Sequence, residues 1–195
     1  MGEIKTAWEK AMEKVEKMGK ATDEELRRME HIPAGNAIAA KFINENNYDF
    51  ETQLTKYKGS GIRQYVIEGA MDVFLRNITL PHDEQEKIRT EKALAGIKIL
   101  KENKKQIDGI IDHIKNIISY YEQARQHSFG QFKKDFETKI REAGNMLQKM
   151  PGNSANLEAQ IQQQFHDEWR RVSMELDTQY EKALEEQKQQ ILKTV

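Results

Sequence analysis

The chain has 195 residues, 37% hydrophobic and 32% charged, with 3 prolines and a mean hydropathy of -0.84, a balance that leaves a thin core and disfavours sheet-rich folds. The net charge is -1 and each of the segments 1–30, 31–80, 81–127 and 128–195 is close to neutral, so no bulk field draws the chain to nucleic acid or anionic lipid. Cysteine is absent, which removes disulfides, thiolate catalysis, zinc fingers and iron–sulfur ligation and fits a reducing, cytoplasmic setting.

In chain order, Ile4, Trp8, Ala11, Val15 and Met18 form the stripe of an amphipathic helix that Gly19 can end. Charged residues interrupt this stretch, so it is not a signal peptide, and no apolar run in the chain approaches the ~20 residues of a membrane span. Thr22 and Glu25 are spaced as a capping box that opens a second, short helix. Pro33 biases Ile32 toward an extended backbone, which places a third helix over residues 34–46. Residues 47–61 read as a helical turn followed by loop, with Gly59-Ser60-Gly61 the most flexible tripeptide. Ile62, Tyr65, Val66, Gly69, Ala70, Val73 and Phe74 share one face of a fourth helix that ends at Leu80-Pro81. Gly69 on that face either admits another backbone closely or is a tolerated surface residue.

From Pro81 the acidic first turn Asp83, Glu84, Glu86 opens a helix expected over residues 82–150, with a kink expected near 128–130. Its heptad seam runs through Leu100, Ile107, Ile110, Ile111, Ile114, Ile117, Ile118 and Tyr121, with Asn103 filling one seam position. The seam then continues through Arg125, Phe129, Phe132, Phe136, Ile140, Ala143 and Leu147 at steps that average to an eleven-residue period. Pro151 and Gly152 mark a turn at 150–155. A last helix from about residue 155 to 193 repeats the same period through Ile161, Phe165, Trp169, Val172, Leu176, Tyr180, Ala183, Gln187 and Ile191, as an antiparallel partner requires.

The expected architecture is all-α: a smaller N-terminal helical head of about four short helices over 1–80, and an elongated, coiled-coil-like helical hairpin over 81–195. Phe129, Phe132, Phe136 and Ile140 are expected to pack within that hairpin against Phe165, Trp169, Val172, Leu176 and Tyr180. The isoleucine stripe at 107, 110, 111, 114, 117 and 118 is wider than one partner helix needs, and a last helix reaching back only to about residue 112 covers part of it. A second subunit is the expected cover for the remainder, with the head as the alternative, so the stripe reads as an association seam of a homodimer.

Chemical signatures are absent. No Glu precedes any of His31, His82, His113, His127 or His166 by three residues, which removes the di-metal bundle motif, and Asp108 with Asp112 reads as a solvated face. No Gly-x-Ser-x-Gly occurs, and Gly59-Ser60-Gly61 lacks the Lys of a phosphate loop. Met1-Gly2 with Thr6 and Asn77-Ile78-Thr79 match lipidation and glycosylation patterns by letter only. The expected function is a non-enzymatic scaffold or interaction protein, without cofactor, metal, nucleic acid or membrane span, acting through self-association or a hetero-partner helix. The alternatives are a helical-bundle ligand or metal carrier or enzyme with a pocket between head and isoleucine segment, and peripheral membrane attachment through the first helix.

Overall fold

A computed structural model describes residues 22–59, 61–147 and 154–194. Those residues form helices and connecting turns, with no strand among them, and the fold is all-helical. The expected helix at 4–18 and most of the expected turn at 150–155 lie outside the described residues. The helices are α1 (Asp23–Asn44), α2 (Phe50–Thr55), α3 (Arg63–Arg76), α4 (Glu84–Leu100), α5 (Lys104–Leu147) and α6 (Ser154–Lys193). The chain divides into two compact units between Val73 and Phe74.

In the first unit Thr22 caps α1 as its spacing predicts: its hydroxyl accepts from the Glu25 N–H at 3.2 Å while the Glu25 carboxylate accepts from the Thr22 N–H at 2.7 Å. These bonds hold the Glu25 carboxyl below its usual range. The expected interruption at Pro33 does not occur, and one helix runs through it to Asn44. Proline in a helix interior removes a hydrogen bond at a cost of about 3 kcal/mol, so tertiary packing must hold the helix together. The packing is visible two residues on. A Cβ on Gly35 would overlap the Val66 carbonyl oxygen and lie 2.9 Å from the Ala70 nitrogen, while one on Gly69 would overlap the Ile32 carbonyl oxygen and lie 3.0 Å from Asn36 Oδ1. Two glycines thus let the backbones of α1 and α3 touch, with Ala39, Ile43, Val66 and Ala70 buried around the crossing.

In the second unit the expected helix over 82–150 is two helices. Pro81 is not its first helical residue; Asp83 caps α4, its carboxylate accepting from the Glu86 N–H at 2.8 Å. At the other end Lys101 turns extended and Asn103 caps α5, its Oδ1 accepting from the Gln106 N–H at 3.2 Å, so Asn103 is a start signal rather than a polar seam residue. The chain reverses there. Lys98 pairs with Asp108 at 2.6 Å and Lys87 with Glu122 at 2.9 Å, which sets α4 antiparallel to the first half of α5. Beyond it α5 continues through Gly130 without a break.

Helix α6 runs antiparallel to the whole of α5. Phe136 meets Phe165, Tyr121 meets Tyr180, and at the far end the Lys101 ammonium donates to the Thr194 carbonyl. This register carries the last helix past residue 112 to the start of α5. The isoleucine stripe therefore lies between two helices of its own chain, α4 and α6. Ile107, Ile110, Ile111, Ile114 and Ile118 are buried and Ile117 is half-buried, together with Ala93, Leu94, Ile97, Leu184 and Ile191. Two intramolecular partners thus bury the stripe except for part of Ile117.

Candidate functional site

The loop between α3 and α4 is pinned to the second unit by one threonine. Buried Thr90 donates its hydroxyl to the Asn77 carbonyl at 3.0 Å and accepts from the Thr79 N–H at 3.3 Å, and Ile78, Leu80 and Pro81 are buried. Glu86 completes the cap by accepting from the His82 N–H at 2.8 Å. This fixes His82 beside Tyr121 of α5, which has no solvent exposure. The Tyr121 hydroxyl donates to Asp177 Oδ1 of α6 at 2.8 Å and lies 3.2 Å from His82 Nδ1. With its proton directed to Asp177, the tyrosine oxygen accepts from a protonated Nδ1, which leaves Nε2 as the free nitrogen of the neutral ring. Burial and the Asp177 carboxylate together push the Tyr121 phenol well above its usual range.

One side of this junction opens as a cleft of about 510 Å³ lined by Pro81, His82, Asp83, Glu84, Glu122, Arg125, Gln126, Phe129 and Trp169. Arg125 occupies a seam position between Tyr121 and Phe129, yet its Nε–H is buried and meets no acceptor among the described residues. Three carboxylates share the cleft with it: Glu122, which holds Lys87 through both oxygens at 2.9 and 3.0 Å, Asp83, which caps α4, and Glu84.

Past the cleft, α5 and α6 continue as a two-helix hairpin carrying the aromatic ladder. Phe129 lies 4.9 Å from Trp169, Phe132 lies 5.0 Å from Phe165 and 5.5 Å from Trp169, and Phe136 lies 5.1 Å from Phe165. Tyr180 stacks edge-on against Tyr121 at 5.5 Å. Of this set Phe136 is buried; Phe132, Ile140, Phe165, Trp169, Leu176 and Tyr180 are half-buried, while Phe129 is 40% and Val172 39% exposed. The ladder is thus closed on the side where α5 meets α6 and open on the other.

Among the described residues no group of three or more His, Asp or Glu side chains is placed to hold a metal ion, and no helix is long and apolar enough to cross a membrane. His82 and Arg125 are functional candidates that sequence reasoning passed over. The signal for Arg125 was present, a lone charge in an otherwise apolar seam, whereas nothing in the sequence brings His82 to Tyr121 across 39 positions. Residues 51–193 match the model of a family described as a family of unknown function, DUF6657. No curated protein and no solved structure matches the chain.

Proposed function

The chain belongs to this family of unknown function, so its role is read from its own residues, and we propose that it is a non-enzymatic helical interaction protein that pairs with a second copy of itself through the aromatic ladder. The observation that carries this reading is the half-open seam of Phe129, Phe132, Phe165, Trp169 and Val172 on a two-helix hairpin. Two helices bury one side of such a seam and leave the other in water; a contiguous exposed apolar strip of this kind marks an association surface. A second hairpin closes it as a four-helix bundle.

The charges flanking the ladder favour a copy of the same chain. On α5, Lys133, Lys134, Lys139 and Arg141 outnumber Asp135 and Glu137, whereas on α6 Asp167, Glu168 and Glu175 outnumber Arg170 and Arg171. A two-fold axis that sets α5 of one chain against α6 of the other brings opposite net signs together twice. Sedimentation equilibrium tests this: the protein is expected to be dimeric at about 100 µM, and Phe132→Glu, with helicity retained by circular dichroism, is expected to be monomeric. A monomeric wild-type protein at that concentration overturns the proposal.

A further inference from the structure

Helix α1 carries an apolar face that the described residues leave uncovered. None of residues 22–30 is buried, and within that stretch Leu26 is 53% and Met29 75% exposed. Continued at helical spacing, the same line passes through Pro33 and Ala37, both exposed, to the half-buried Ala40. It lies about a third of a turn around the helix from Gly35, Ala39 and Ile43, the buried residues on the side of the α3 crossing, so that crossing does not cover it. The first turns of α1, ahead of Pro33, thus hold no buried apolar side chain among the described residues. A helical stretch this short keeps its shape through the packing of one face rather than through propensity, so the line calls for a partner.

We propose that residues 4–18 of the same chain cover this face as a helix packed antiparallel to α1. Ile4, Trp8, Ala11, Val15 and Met18 form an apolar line as long as the one on α1, about four helical turns. Three residues, 19–21, separate it from the Thr22 cap, and connections this short join antiparallel neighbours. Folding back about that turn sets the two lines in register along their whole length: Met18 opposes Leu26, Val15 opposes Met29, Ala11 opposes Pro33, Trp8 opposes Ala37 and Ile4 opposes Ala40. At the far end the large Trp8 and Ile4 stand over two alanines, the alternation of sizes that lets facing helices interdigitate. A second copy of the chain would have to displace a segment tethered three residues from the face, whose effective concentration there exceeds that of any free partner.

The chain contains no cysteine, so paired cysteines report this contact against a silent background. Val15→Cys with Met29→Cys joins the two lines near the turn, and Ile4→Cys with Ala40→Cys joins their far ends. Glu13→Cys with Met29→Cys is the control, since it closes a loop of nearly the same length from the opposite side of the segment. Each full-length protein is oxidised at about 1 µM, where thiols of one chain meet far more often than thiols of two. The first two pairs are expected to form an intramolecular disulfide at least about tenfold faster than the control, read by mass spectrometry of proteolytic fragments, with helicity by circular dichroism unchanged. Adding Leu26→Asp to the Val15 and Met29 pair is expected to slow its closure toward the control rate. The proposal is overturned if the control closes as fast as the Val15 and Met29 pair, if the Ile4 and Ala40 pair fails to close, or if the disulfides link two chains. That last outcome assigns the face to a second copy instead.

Discussion

Glycine at three helical positions of this chain has opposite meanings, and the surroundings decide which. At Gly35 and Gly69 an added methyl group would run into the backbone of the opposing helix, so Gly35→Ala is expected to destabilise the protein by about 1–3 kcal/mol even though alanine is the better helix former. At Gly130 nothing lies within 4 Å of the added methyl, and Gly130→Ala is expected to stabilise by up to about 1 kcal/mol. Chemical denaturation of the two variants checks both signs in one experiment. The sequence raised close approach at Gly69 without choosing between it and an exposed glycine. That choice depends on Gly35, which lies in another helix, and periodicity within a single helix carries no information about the face that opposes it.

Helices α4 and α5 show how a local stop can hide inside an apolar pattern. Leu100 and Ile107 are seven residues apart, as one heptad seam demands, yet three residues between the helices reverse the chain. The seam period survives because each helix separately presents an apolar face to the same core. Asn103 was the legible cue, since asparagine is among the strongest N-caps and is costly as seam filler. Asn103→Ala is expected to cost about 1 kcal/mol in thermal or denaturant unfolding through loss of the bond to the Gln106 N–H. An undiminished stability would show that the turn is held by Lys98–Asp108 and its neighbours instead. The opposite error occurred at Pro33, where a genuine local stop signal yielded to the crossing with α3. The long helices and the aromatic positions were legible because their periodicity extends over many turns; the cleft was not, because it is assembled from a loop and three helices that only tertiary packing brings together.

At the scale of the molecule, the second unit draws its core from both ends of its own sequence. Ile107 and Ile114 at the start of α5 are buried, and so are Leu184 and Ile191 near the end of α6, with the Lys101–Thr194 contact closing that end. Each of those two α6 side chains contributes about 1.5–3 kcal/mol by burial, which is a large fraction of the ~5–15 kcal/mol that holds a typical domain together. Deleting residues 184–195 is therefore expected to convert the unit to a loosely packed state that binds a hydrophobic dye and melts without a cooperative transition. A truncated protein that melts as sharply as the full chain would show that α4 and α5 suffice.

The same arrangement has a bearing on the chain's life during synthesis. The isoleucines of α5 are made some seventy residues before the leucine and isoleucine of α6 that cover them. Until that closing segment emerges, a growing or clipped chain displays a row of branched apolar side chains of the kind chaperones and quality-control proteases recognise. Once it docks, the row disappears from view. The final turns of α6 thereby decide whether the row faces water or the core.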